Sequence, residues 1–249
     1  MGDSSDSSLS HEVQKILSDR DQPAIRKYAM LTVGSDSLVQ LALYEMITSV
    51  FGAWPGGIGY AFRRTFYRLL FQSMGSNVTI GRNVTFRGMS RIIIGDDACI
   101  DDNCVVDARG SQASIVIGDG VFIGRNTIVR NRGEFLSIGS GSDIGCHCLI
   151  ATDSRLEIGD DVIIAAYTYV AAGGSYRTDD KTVPIKRQGF LKKGGSRIEN
   201  NVWIGAHSMV MDGVTIGSGT VVGAYSFVNK SLPPMTYAWG IPARVQRPR

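Results

Sequence analysis

The sequence predicts a mainly β protein: a three-sided solenoid of parallel strands with about six to seven coils, preceded by an α-helical region and carrying one long loop inserted at a corner. Three observations lead there. From Val78 onward an aliphatic residue returns every six positions, in stretches such as IGDGVF, IGRNTI and IGSGSD, and a fixed short period marks a repeat architecture. Before that point the apolar residues follow a helical period. Between Val170 and Ile198 the beat lapses once, with 28 positions where six are expected.

Composition sets the outer bounds. A chain of 249 residues, 43% hydrophobic and 20% charged, is neither disordered nor fibrous. A net charge of +3 gives no basic footprint for a nucleic acid. Cys99, Cys104, Cys146 and Cys148 fit neither a disulfide framework nor a paired CxxC zinc site. The start, MGDSSDSSLS, lacks the basic and apolar regions of a signal peptide, and Ser5 and Asp6 stand where a myristoylation signal would be read. These features point to the cytoplasm.

Residues 1–75 make the first element. Ser10 is placed to cap HEVQKILSDRD, and Ser35 to Ser37 to cap LVQLALYEMITSVFGAW, which Pro55-Gly56-Gly57 breaks. The following IGYAFRRTFYRLLFQSMG sets Arg63, Arg64 and Arg68 among aromatics and leucines. The segment from Leu38 to Trp54 contains Gln40 and Glu45 and is short for a membrane span, so two helices about a Gly-Pro turn are expected. They either cap the open end of the solenoid, as repeat proteins require, or lie on a membrane surface through residues 38–73.

Residues 76–232 make the solenoid, with loop 171–197 protruding, and 233–249 a C-terminal tail. The leads come in threes, from Ile94, Ile100 and Val106 to Ile216, Val222 and Val228, so three strands close an 18-residue turn. A small or apolar residue stands two before each lead, as at Ala98, Cys104, Thr127 and Cys148; strand alternation turns both inward. Three after the first lead of a coil come Asp97, Gly120, Gly141, Asp161, Asn201 and Gly219, types that tolerate a left-handed corner. Steps within a coil are six, whereas steps between coils are 8, 11, 9, 8, 28 and 6. Every extra residue therefore leaves at one edge, and long loops on rigid scaffolds often carry function.

These repeats, with VWIGAHSMVMDGVTIGSGTVVGAYSFVNKSLPPMTYAWGIPARV, resemble the hexapeptide-repeat acyltransferases, especially the O-acetyltransferases of bacterial polysaccharide and lipopolysaccharide assembly. The likeness runs from about Val78 to Val245 and includes a Pro-Pro turn followed by a Gly-x-Pro-Ala-basic-Val pattern at Pro233, Pro234, Gly240, Pro242, Ala243 and Arg244. It implies a left-handed parallel β-helix, a homotrimer, acetyl-CoA as cosubstrate in the groove between neighbouring prisms, and a sugar or lipid-linked sugar acceptor under the long loop. For CoA it points to Gly205, Ala206, Gly223 and Ala224 along the pantetheine, with Lys230 and Arg244 for the phosphates. In that family a histidine five residues after the lead, at the start of the loop, is the general base. Here that position is Ser175, although Tyr169, Val170, Gly173, Gly174, Asp179, Asp180, Pro184, Ile185, Gln188 and Gly189 preserve its flank.

Other residues can supply what Ser175 lacks. His147 and His207 share a column reading Asn103, Asn126, His147, Tyr167, His207, Tyr225. Corner geometry accounts for histidine there, but tyrosine at a left-handed corner is strained, and strain gathers at functional sites. The candidate catalytic residues are His147, His207 and Ser175. Alternatively a neutral amine attacks a thioester without a protein base, positioned by Tyr176, Asp179, Asp180, Gln188 and Tyr167. Cys146, His147 and Cys148 cannot grip one ion, since adjacent strand residues point oppositely, and no metal is expected. The resemblance thus implies CoA-dependent acyl transfer, acetyl in the first instance, to a hydroxyl or amino group of a sugar in surface-polysaccharide or glycoconjugate synthesis. It would take place in the cytoplasm or at the inner face of the plasma membrane. The competing expectation is a trimeric binding or scaffold protein that has lost the catalytic histidine.

Overall fold

The structure is a computed structural model that describes residues 16–110, 112–191 and 193–249. The stretch that Ser10 would cap lies, as far as residue 15, outside the described residues. Among the described residues, residues 16–18 are helical and three full helices follow before the coils: α1 (Ala24–Val33), α2 (Leu38–Phe51) and α3 (Gly56–Phe66). The Ser37 side chain caps α2 by accepting from Gln40 N–H at 3.3 Å. Helix α1 lies outside the segments expected to be helical; it buries only Ala29, Thr32 and Val33, a stripe too narrow to stand out in the sequence.

The helices close the first coil. Arg63, 1% exposed, donates from Nε to the Ile80 carbonyl at 2.8 Å and from Nη1 to those of Phe51 and Trp54 at 3.1 and 2.8 Å. One guanidinium thereby satisfies carbonyls left open at the end of α2 and ties α3 to the solenoid. Tyr44 donates to Phe86 O at 3.1 Å, and Tyr67 and Phe71 meet the Phe86 ring edge-on. Among the described residues no helix is long and apolar enough to cross a membrane.

Each coil contributes one strand to each of three parallel sheets. The first face runs from Ser73–Met74 to Thr215–Ile216, the second from Thr79–Ile80 to Val221–Val222, and the third from Thr85–Arg87 to Phe227–Val228. Leads stack on leads: Ile80, Ile100, Ile123, Ile144, Ile164, Ile204 and Val222 are in register, and none is more than 1% exposed. Burial of each such side chain contributes about 1.5–3 kcal/mol.

The solenoid has about eight turns rather than six to seven, because it starts earlier and ends later than the clear hexads. Ser73–Met74 already pairs with the next coil. After the last full coil Leu232 bridges to Ile216, and Thr236–Gly240 adds to the second face. The residues expected as a tail thus form a hairpin, with Ala243–Pro248 antiparallel to Thr236–Gly240.

The slot two residues before each lead has a second requirement besides size. Thr127, Ser142 and Ser208 donate to the carbonyls of Gly145, Gly159 and Gly223 at 2.7, 2.8 and 3.1 Å, each in the coil that follows. Cys104 and Cys148 do the same to Gly124 and Ala165 at 3.1 and 3.3 Å. A short donor satisfies the corner carbonyl that turning the chain would otherwise strand in the core.

Candidate functional site

Every insertion leaves where the third face turns into the first, as the step lengths require. At this edge follow, coil by coil, Asp107, Asn131, Thr152 and Ala172, with Arg87 opposite Asp107, Asn131 opposite Thr152, and Thr152 opposite Ala172. After Ala172 the chain swings out through Gly173 (φ 109°) and Gly174 (φ 82°), conformations that glycine adopts without strain. A side chain at Gly174 would run into Asp153 Oδ2, 2.6 Å from the position of its Cβ. Asp153 therefore stands beside the root of the long loop, against the residue that precedes Ser175, and is exposed.

The loop is a braced hairpin. Leu191 N–H donates to Ser175 O at 2.7 Å and Arg177 N–H to Gly189 O at 3.0 Å, and the Tyr176 and Phe190 rings lie 4.6 Å apart. Arg177 pairs with Asp179 at 2.9 Å and holds its carboxyl below the usual range. The Thr182 hydroxyl, at 2.7 Å, does the same for Asp180. Gln188 accepts from Asp180 N–H at 3.1 Å and donates to the carbonyls of Asp180 and Val183 at 2.6 and 2.7 Å. Tyr176, Asp179, Asp180 and Gln188 thus come together, and much of their bonding capacity goes into the loop itself.

The structure does not bring His147, Tyr167 or His207 to that root within one chain. They sit at the opposite corner, between the second and third faces, with left-handed φ of 57°, 62° and 57°. Five strand residues from His147 to Thr152 span roughly 17 Å. Their rings form a ladder with Tyr225: centroids 4.9, 4.9 and 4.8 Å apart, planes within 6° of parallel. The spacing is that of the coils. Below it the column continues in amides, with Asn126 Nδ2 3.2 Å from His147 Nε2.

Gly205, Ala206, Gly223 and Ala224 lead into this same corner. A Cβ on Gly205 would lie 2.4 Å from Ala224 N, and one on Gly223 2.9 Å from Trp239 Cβ, so coil packing alone demands glycine there. Lys230 lies on the insertion edge after the last full coil, and Arg244 opposite Trp239 in the terminal hairpin. Since Trp239 Cβ is 2.9 Å from where a Cβ on Gly223 would stand, Arg244 comes to the Gly223 end of this corner, while Lys230 stays at the far edge. A recess of about 510 Å³ on the first face, lined by Glu157, Asp160, Arg197, Asn200 and Ser218 among others, contains none of the predicted site residues.

Two carboxylates outside the predicted site residues stand at the loop's ends. Asp153 flanks its departure. Asp212 flanks its return beside Lys193 and Gly195, and is 4% exposed. Neither Asp212 oxygen receives a hydrogen bond of normal geometry. Burial pushes its carboxyl up, partly offset by the amides of Gly213, Lys193 and Gly195 and by the Lys193 charge. The available signal was positional, since both follow the third lead of a coil by two or three residues.

Fold and edge loop define a hexapeptide-repeat solenoid. Residues 195–230 match the bacterial transferase hexapeptide (six repeats) family, so the chain carries the repeat of the bacterial transferases. It is 38% identical over 114 residues to a probable acetyltransferase of Mycobacterium tuberculosis, a match spanning 46% of this chain and 37% of that protein. It is 35% identical over 119 residues to the galactoside O-acetyltransferase of Escherichia coli, spanning 45% of this chain and 57% of that one. The chain thus spans about a third to just over half the length of the curated relatives it matches. Among solved structures it is similar to AntD, an N-acyltransferase from Bacillus cereus in complex with dTDP and 3-hydroxybutyryl-CoA. There the TM-score is 0.50 and the identity 26%, over 74% of this chain and 86% of that one.

Proposed function

We propose that this protein is a CoA-dependent acyltransferase that moves an acetyl group to a sugar, at an amino group in preference to a hydroxyl. One observation carries the preference: the root of the edge loop presents the Asp153 carboxylate and Ser175, with no histidine on that edge among the described residues. A hydroxyl needs a base to become a nucleophile, whereas a neutral amine does not. Nitrogen attacks the thioester carbonyl, the carbon–sulfur bond breaks, and the proton lost by nitrogen passes by way of Asp153 to the departing thiolate. The Ser175 hydroxyl is a donor for the developing oxyanion. The relatives named as acetyltransferases and the N-acyltransferase crystallised with an acyl-CoA and dTDP support the reading.

The assembly is proposed to be a homotrimer that buries the outer sides of the second and third faces. These carry exposed Phe122, Ile128, Ile163, Trp203 and Met209, whereas the first face carries Arg155, Glu157 and Arg197 as an ion-pair network. CoA is proposed to reach Lys230 and Arg244 from different subunits. The cap exposes Val39, Met46, Val50, Ile58 and Leu69, which supports peripheral contact of residues 38–73 with the inner face of the plasma membrane, the site of a lipid-linked acceptor.

Incubation with acetyl-CoA and a panel of neutral and amino sugars, followed by thiol release and mass analysis, tests the proposal. Acetyl groups on nitrogen are expected. Acetylation of hydroxyls alone removes the preference, and absence of both CoA binding and thiol release removes the transferase. If Ser175→His creates activity where the native chain has none, the native chain is a binding protein.

A further inference from the structure

On the outer side of the third face, at the insertion edge, four arginines gather against two carboxylates. Arg87, Asp107 and Arg130 are in register on successive coils. Asp107, 3% exposed, is fully engaged by Arg109: Nη2 to Oδ2 at 2.7 Å, Nε to Oδ1 and Oδ2 at 2.9 and 3.0 Å, and the Arg109 amide to Oδ1 at 3.1 Å. Arg87 donates to the Tyr44 hydroxyl at 2.9 Å. Arg130 and Arg132 have no such partner. Arg130, beside the inward Asn131 in the strand, leaves the coil outward; Arg132 follows the strand's end, and the buried Nε of each meets no acceptor among the described residues.

Such orphans need explanation, because a buried guanidinium nitrogen without an acceptor loses its hydration and gains nothing in return. Burial and the neighbouring Arg130 charge push the Arg132 guanidinium down, against the pull of Asp153 and Asp107. The outward positions above Arg130 on the next two coils are Ala151 and Ala171, small and themselves covered at 3% and 6% exposed, so the strand sets no large side chain against the guanidinium groups. Two guanidinium groups two residues apart present a set of donors that matches the oxygens of a phosphoryl group. The pair is also close to the loop root, since Arg132 N–H donates to Thr152 O at 2.8 Å and Asp153 is the next residue.

We propose that Arg130 and Arg132 form a phosphoryl-binding site, and that the acceptor is accordingly a sugar carrying a phosphate or diphosphate rather than a free sugar. The second half rests on the transferase reading above; the first does not. Titration of inorganic pyrophosphate into the full chain is expected to show salt-sensitive binding. The double variant Arg130→Gln, Arg132→Gln is expected to lose at least tenfold in affinity, and Arg132→Lys to lose less. Both variants must keep the native circular dichroism spectrum; should the double variant not fold, Arg132→Lys alone decides.

In steady-state kinetics the double variant is expected to raise KM for glucosamine 1-phosphate while leaving that for glucosamine unchanged, with unaltered CoA affinity. A fall in CoA affinity instead would place the CoA phosphates at this site and overturn the assignment to the acceptor. Equal pyrophosphate binding by native and variant chains overturns the site. Conversion of the variant to monomers without a change in pyrophosphate binding does so as well, and assigns the arginines to carboxylates of a neighbouring copy. Pyrophosphate binding without any acyl transfer leaves the site standing and removes only the transferase.

Discussion

The corner between the second and third faces and the edge between the third and first are built from the same repeat but obey different rules. At the corner every step is six residues, and the ring ladder, the left-handed φ values and the small residues at Gly205 and Gly223 all follow from stacking one coil on the next. At the edge the step varies from 6 to 28. There the chain places side chains that packing does not explain: Asp153, Asp212, Arg130 and Arg132.

The sharpest contrast lies in glycine substitutions. Gly205→Val at the corner is expected to cost at least about 3 kcal/mol and to leave the protein insoluble, because its side chain has only the Ala224 backbone to meet. Gly194→Ala in the edge loop has open space around its Cβ and only φ +89° against it, so a loss of about 1 kcal/mol is expected in urea unfolding. Equal costs would dissolve the distinction.

Activity should divide the same way. Asp153→Asn at the edge is expected to lower kcat/KM about a hundredfold while changing stability by less than about 0.5 kcal/mol. His207→Ala at the corner removes one rung and should cost about 0.5–1.5 kcal/mol of stability, with kcat/KM changed less than threefold. If His207→Ala instead abolishes transfer, a ladder histidine reaches the loop of a neighbouring subunit, and the corner takes part in the chemistry.

The sequence made the corner more legible than the edge for the same physical reason. A column such as Asn103, Asn126, His147, Tyr167, His207, Tyr225 repeats because each backbone faces the same left-handed turn, so period alone reveals it. Asp153 and Arg132 belong to no column, because insertions of different length shift their neighbours, and only three-dimensional register sets Asp153 against Gly174. Helix α1 escaped because its contact with the coils is narrow, and the terminal hairpin because its strands follow the last hexad. His147 and His207 share the period of their column, and the structure stacks them as rungs of its ring ladder.

The smallest expected effect is a pH signature at the loop's return. The Asp212 carboxyl is raised by burial, so its protonated form is the one the folded chain prefers. The sign follows from linkage: the stability associated with that preference is complete below the ordinary carboxylate value near 4 and is lost as pH rises through the folded value. At neutral pH the ionised group is therefore a burden, with only the Lys193 charge and the amides of Gly213, Lys193 and Gly195 set against it. Asp212→Asn removes the burden without changing shape. Its Tm should match the native protein at pH 3 and exceed it by about 2–4 °C at pH 7, the shift produced by roughly 1 kcal/mol in a chain of this size. A variant less stable than the native protein at pH 7 would mean that the carboxylate is held ionised by donors the loop supplies, so that the return end of the loop, like its departure, is built around a charge.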